Sequence, residues 1–341
     1  MNELLSTGAP AAEARGAQQT TYRDALRQAL DDAMAADPDI IVMGEEVGRY
    51  GGAYGVTKGL LDRYGETRVI DAPISEAGIV GAAVGAAMTG LRPVAELMYV
   101  DFFGLAMDQI ANQAAKIRYM FGGQIGVPMV LRTQGGTGRS AGAQHSQSLE
   151  GWILNTPGLR LAMPGTVSDA YHLLRAALTQ PDPVVFIEHK SLYTGQGLLD
   201  TATPDAPWGQ AVVRRPGRDV TLVAYSRMVK VALEAADALA AQGIEAEVVD
   251  LRTLNPLDSD TVAQSVIRTG RAAVLSEACL TGGPAAEIAQ RISEDAFDWL
   301  EEPVLRIAGE DVPIPVAVDL EAASIPTVPR VVDAVARLVL P

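Results

Sequence analysis

The sequence predicts an α/β protein built from two doubly wound domains, and three observations carry that prediction. Short apolar runs alternate with segments of helical periodicity, the arrangement of a parallel sheet covered on both faces. The alternation lapses once, between Lys190 and Gly209, and then resumes. The length of 341 residues also exceeds what one hydrophobic core ordinarily organises, about 250–300 residues.

Thr20 or Thr21 caps a first helix, in which Ala25, Leu26, Ala29, Leu30 and Met34 recur at helical spacing until Pro38 closes it. A buried strand follows at 40–43, a strand at Val69 and Ile70, a helix of small residues from Glu76 to Thr89 and a strand from Pro93 to Met98. The span from Phe103 to Met120 reads as one helix and that from Val127 to Arg132 as a strand. A helix from Ser168 to Leu178 and a strand from Val184 to Glu188 complete a first domain at 20–190. Residues 191–209, rich in Gly, Pro, Thr and Asp, are expected to link it to a second domain at 210–341. There, strands at 220–225, 246–251 and 272–275 alternate with helices at 229–242, 260–267 and 284–293. Residues 1–19 are expected to be a mobile tail.

Composition narrows the function. Lys and Arg number 27 against 42 Asp and Glu, a net charge of -15. That field repels phosphate backbones and anionic membrane surfaces and argues against nucleic-acid or membrane binding, whereas it would steer in a basic protein partner. The longest apolar stretch, Ala77 to Leu91, is too short and too rich in Gly and Ala to span a bilayer. One cysteine, Cys279, excludes an internal disulfide. The first 19 residues lack the basic start and apolar core of a secretion signal, and their two Glu argue against a transit peptide. The expected setting is the cytoplasm.

Parallel α/β sheets bind ligands at the carboxyl ends of their strands. The first such end opens into GEEVGRYGGAYGVTKG, which is glycine-rich but contains neither the dinucleotide fingerprint nor the P-loop spacing. The loop Gly135-Gly136-Thr137-Gly138 opens no helix with the required spacing either.

Other runs are more specific. DAPISEAGIVGAAVGAAMTGLRPVAELMYVDF (71–102), AAKIRYMFGG (114–123), AGAQHSQSLEGW (141–152), DLRTLNPLD (250–258) and EDVPIP (310–315) occur in this order. Together they resemble the β subunits of thiamine-diphosphate-dependent dehydrogenases, the first component of 2-oxo acid and acetoin dehydrogenase complexes. The resemblance covers about residues 20–338. It implies a pyrimidine-binding domain followed by a transketolase C-terminal-like domain.

The resemblance assigns Glu76 to the aminopyrimidine ring of the coenzyme. A carboxyl sharing a proton with the ring nitrogen favours the tautomer that deprotonates the thiazolium carbon. Buried beside an apolar strand, such a carboxyl is expected to be proton-rich near neutral pH. By itself Glu76 also fits an acid favoured at a helix N-terminus. Phe102 matches the aromatic position on the pyrimidine face, with Met98 and Ile74 as further contacts; core packing is the alternative for all three. His145 matches the histidine that faces the reacting carbon and could donate a proton or orient an anion. Outside that context it reads as a solvated loop residue. His172 is expected at the surface or domain boundary, and His189 in a structural role. Glu46, from the GEEVG loop, is a candidate near the coenzyme or a solvated acid. The resemblance also implies a structural potassium site, using backbone oxygens of Ala177 and Leu178 and the side chain of Asp182.

The Gly-Asp-Gly signature that holds Mg2+ and the diphosphate occurs nowhere in the chain. The resemblance therefore implies an α subunit, in a two-α two-β heterotetramer, that supplies that half. It further implies that the second domain docks the lipoyl acyltransferase core of a multienzyme complex, although PVAVDLEAASIP departs from the usual form of the docking region. The implied reaction decarboxylates or cleaves a small substrate such as pyruvate, a branched-chain 2-oxo acid or acetoin, and passes the acyl group to lipoamide. An acyloin-forming carboligase on the same scaffold and a non-catalytic assembly subunit are the alternatives.

Overall fold

The computed structural model describes residues 17–340; most of the expected tail, residues 1–16, lies outside them. Strand β1 (Gln18–Thr21) begins where the tail was expected to end. Helix α1 (Tyr22–Ala36) is capped by Thr21, whose hydroxyl accepts the Asp24 N–H at 3.1 Å. Its apolar face, Ala25, Leu26, Ala29, Leu30 and Met34, is buried.

Then come β2 (Ile40–Glu45), α2 (Leu60–Tyr64), β3 (Val69–Ala72), α3 (Glu76–Met88) and β4 (Arg92–Leu97). The helix expected over 103–120 is divided into a 3-10 turn at Val100–Ala106, a π-helix at Asp108–Ala114 and α4 (Ile117–Met120). Ala106, Ile110 and Ala114 along this stretch are all buried in the core. Strand β5 (Val130–Gly135) starts three residues later than expected, because Pro128 has no N–H for a ladder.

The remaining elements of this unit are α5 (Glu150–Leu154), β6 (Arg160–Ala162), α6 (Val167–Leu178) and β7 (Val184–His189). The segment expected as a linker contains β8 (Gln196–Leu199), paired antiparallel with β1. His172 is buried, its ring nitrogens 3.3 Å from the Asp205 carboxylate and 3.2 Å from the Asp200 carbonyl. The linker thus covers His172, which is not a surface residue.

The second unit runs β9 (Val212–Arg215), β10 (Val220–Ala224), α7 (Arg227–Ala240), β11 (Ala246–Asp250), β12 (Thr253–Asn255), α8 (Ser259–Thr269), β13 (Ala272–Cys279), α9 (Pro284–Asp295), β14 (Leu305–Gly309), α10 (Val318–Ala323) and α11 (Val328–Val339). Its five-stranded sheet has the order β14-β13-β10-β11-β9, parallel except for β9. The first sheet has seven strands, β12-β6-β7-β5-β4-β2-β3, parallel except for β12. One edge of the first sheet therefore comes from the second unit. A single apolar cluster runs from Ile79 and Val80 of α3 through Leu131 and Ile187 to Val223 and Val249 of the second sheet and Ile288 of α9. The two units share a core, and their contact is not a hinge.

Inside the first sheet, Arg132 on β5 is fully buried between carboxylates on both neighbouring strands. It forms a two-pronged bond to Glu188 at 2.6 and 2.8 Å and reaches Glu96 at 2.7 Å. The Tyr193 hydroxyl donates to Glu188 at 2.6 Å. Burial alone would lower the Arg132 guanidinium, but the charges of Glu188 and Glu96 raise it above its ordinary range.

Candidate active site

The carboxyl ends of β2, β3, β4, β5 and β7 lie along one edge of the sheet, and most candidate residues follow directly from them. After β2 the chain turns sharply at Glu46, which is exposed and has φ 55°. Asp71, on β3, accepts the N–H groups of Gly48 at 2.5 Å and Arg49 at 3.0 Å and so fixes this loop. Glu76 is the first residue of α3 and is half-buried, so the burial expected of it is only partial in this chain. Burial first, and then the charges of Glu46 and Glu76, raise the Glu45 carboxyl above its ordinary range. Three carboxylates thus gather at the ends of β2 and β3. Ile74 is 74% exposed beside them and is not a core residue.

A second group forms beyond β4 and β5. The His145 ring is met edge-on by Tyr99 at 5.2 Å between ring centres and by Phe102 at 5.6 Å. Tyr99 and Phe102 also pack edge-to-face at 6.0 Å. Phe102 and Phe103 diverge in the 3-10 turn: Phe103 is buried in the core, whereas Phe102 is half-buried against His145. Met98 is half-buried in the connection between β4 and that turn. Tyr54, from the glycine-rich loop, lies 6.4 Å edge-on from Tyr99 and stacks on Tyr193 at 4.6 Å. Sequence reasoning missed Tyr54 and Tyr99. Their only signal was an aromatic residue in each of two loops that the sheet order makes neighbours.

The loop bearing His145 is anchored from the second unit. Glu277, at the end of β13, accepts the Thr137 N–H at 2.6 Å and a bond from Arg227 at 3.0 Å, and lies 3.0 Å from His189 Nε2. Glu321, on α10, accepts the N–H groups of Gly138 at 3.0 Å and Ser140 at 3.4 Å. Gly136 has φ 83°, and a Cβ there would lie 2.1 Å from His189 Nε2, so the close approach requires glycine. Asp101 accepts the Gln147 N–H and side-chain amide at 3.1 and 3.0 Å.

The residues expected to hold a potassium ion are engaged otherwise. Arg92 donates to the Leu178 carbonyl at 2.9 Å, and the Ala177 carbonyl accepts the Gln180 N–H at 3.1 Å. Asp182 is paired with Arg118 and Arg160, each at 2.8 Å. A guanidinium thus stands at the Leu178 carbonyl and two stand at Asp182, positive charges that a cation placed there would have to face.

Half-exposed aromatic and aliphatic side chains with a carboxyl group at the strand ends suit a flat, apolar, nitrogen-bearing ring. The three carboxylates Glu45, Glu46 and Glu76 do not suit a diphosphate, which they would repel.

Residues 18–196 match the transketolase pyrimidine binding domain, and residues 209–331 match the transketolase C-terminal domain. A solved split-gene transketolase, described as an inactive β4 tetramer, superposes with a TM-score of 0.74 over 93% of this chain and 97% of its own, at 23% identity. The class is therefore the two-domain, transketolase-like α/β proteins that use thiamine diphosphate. Over 325 residues, 94% of this chain and 86% of the relative, the sequence is 48% identical to the mitochondrial pyruvate dehydrogenase E1 component subunit beta-2 of Oryza sativa subsp. japonica. It is 48% identical over 317 residues, 92% and 69% of the two chains, to the pyruvate dehydrogenase E1 component subunit beta of Rhizobium meliloti (strain 1021). The chain belongs to the β-subunit family of the thiamine-diphosphate-dependent 2-oxo acid dehydrogenases.

Proposed function

We propose that this chain supplies the pyrimidine-side half of a thiamine diphosphate site that decarboxylates pyruvate and delivers the acyl group to lipoamide. The observation that carries this reading is the gathering of His145, Phe102 and Tyr99 at one sheet edge, beyond the strand ends that also bear Glu76. When bound, the coenzyme supplies the carbon nucleophile. Glu76 would hold the pyrimidine nitrogen through a shared proton, with Phe102, Met98 and Ile74 against the ring and Glu46 near it. His145 would move a proton at the substrate, and the aromatic walls around it limit access of water.

Pyruvate is favoured over acetoin or a branched-chain acid because the relatives at 42–48% identity named above and beside them are pyruvate dehydrogenase subunits. Mg2+ and the diphosphate would be held by an α subunit, in a two-α two-β heterotetramer, since this chain carries no Gly-Asp-Gly. The second unit, joined to the first within 191–209, would meet the acyltransferase core. Among the described residues no helix is long and apolar enough to cross a membrane. A cytoplasmic setting belongs to the proposal; the plant relative is named mitochondrial and the Rhizobium relative is not.

The test is reconstitution with the α subunit, thiamine diphosphate and Mg2+, comparing pyruvate, branched-chain 2-oxo acids and acetoin with and without a lipoyl acceptor. Pyruvate-dependent acyl transfer that needs both chains is expected. Full turnover by the isolated chain, or carboligation alone, would refute the reading.

A further inference from the structure

We propose that Lys190 is a positioning residue for His145. Lys190 follows β7 and is 1% exposed, and its ammonium donates a hydrogen bond to the His145 backbone carbonyl. The same ammonium lies 5.3 Å from the centre of the Tyr99 ring, the ring that meets His145 edge-on. Lysine at such a depth ordinarily has a carboxylate partner. Among the described residues, none forms a salt bridge with it. Burial accordingly holds the ammonium below its ordinary range. An apolar side chain of similar volume would fill this space without the desolvation cost, so packing alone does not account for a lysine here.

The distribution of anchors along the loop gives it a task. Thr137, Gly138 and Ser140 are tied by Glu277 and Glu321, and Gln147 is tied by Asp101. Between these anchors, the backbone of 141–146 has one internal hydrogen bond, His145 N–H to the Gly142 carbonyl at 3.2 Å. Lys190 gives, among the described residues, the only side-chain hydrogen bond to that stretch of backbone. It therefore sets the depth at which the His145 ring stands between Tyr99 and Phe102. The inference rests on the proposed role of His145 and adds the group that holds it.

The test compares K190M, K190Q and His145→Ala in the complex reconstituted with the α subunit. K190M should lower kcat about 10- to 100-fold, the scale of a catalytic group displaced by an ångström. KM for pyruvate should stay within about twofold, with coenzyme affinity and the melting temperature of the complex kept, because on this proposal Lys190 acts only through the backbone that carries His145. K190Q, which retains a donor for the carbonyl, should recover part of kcat. Wild-type kcat in K190M would overturn the proposal, and so would a kcat loss matched by an equal loss of coenzyme affinity. If His145→Ala retains wild-type turnover, the reading of His145 fails whatever Lys190 does. If His145→Ala is inactive and K190M is not, the Lys190 proposal alone falls.

Discussion

Glu277 on β13 and His189 at the end of β7 meet across the contact between the two sheets, carboxylate oxygen to Nε2, at 3.0 Å. The Ser191 N–H donates to Nδ1 at 3.2 Å, so the proton facing Glu277 sits on Nε2. The same carboxylate holds Arg227 and the Thr137 N–H, and one side chain therefore links the second sheet, α7 and the loop that leads to His145.

Glu277→Ala should destabilise the protein by about 3–5 kcal/mol in urea unfolding, since it strands the buried His189 ring, the half-buried Arg227 guanidinium and the Thr137 N–H. Burial alone would raise this carboxyl, but His189, Arg227 and the Thr137 N–H hold it well below its ordinary value of 4.5. A lowered folded value means that its stabilisation is complete above about pH 4.5 and is lost as pH falls below it. Wild-type stability should decline in that acid range, and the variant should decline less. A variant with wild-type stability at pH 7 would refute the assignment.

Glu150 has the opposite sign. It is buried at the start of α5 with one oxygen unpartnered, and burial first, then the Glu277 charge, push its carboxyl up to about 7. The unfolded chain loses this proton near 4.5, so the native state binds more protons between there and about 7. Stability should fall with pH across that window, by about 3 kcal/mol if the whole shift is expressed. Glu150→Gln should flatten the fall and be more stable than wild type at pH 8. Parallel wild-type and variant curves from pH 5 to 8 would exclude the effect.

Arg132→Met should cost about 3–5 kcal/mol, because Glu96 and Glu188 would then face each other buried and uncompensated. Adding E96Q and E188Q should restore part of the loss, and a thermal or urea cycle of the variants measures it. No recovery in the triple variant would show that Arg132 acts through packing instead.

Glu76→Gln in the reconstituted complex should lower turnover about 10²–10⁴-fold, the span of a lost proton-transfer group. Its effect on stability should stay within about 1 kcal/mol, the worth of one charge at a helix N-terminus. Turnover within twofold of wild type would return Glu76 to the role of a helix-terminal acid.

Much of this architecture is local and was therefore legible. Thr21 caps α1 because its hydroxyl reaches an N–H three residues on, and Pro38 follows the end of that helix for reasons contained in the dipeptide. The α/β alternation, the PISEAG start of α3 and the loop position of His145 were equally readable. Elsewhere the reading failed where distant partners decide. Thr253 to Asn255 carry no sign that they complete the sheet of the other unit, and Gln196 to Leu199 looked like linker until paired with β1. Nor does the local sequence show that Arg92 reaches the Leu178 carbonyl, or that Arg118 and Arg160 both reach Asp182.

The sequence by itself determined the two α/β units, the strand ends where chemistry belongs, and Glu76, Phe102 and His145 as the residues to test, because periodicity, caps and contiguous motifs are encoded over a few neighbouring positions. Only the tertiary structure decided that Tyr99 and Phe102 flank His145, that Lys190 holds its backbone, and that Glu277 and Glu321 reach its loop from the second unit. Those relations depend on strand order and on burial, which join residues far apart in the chain and fix the charge partners of groups removed from water.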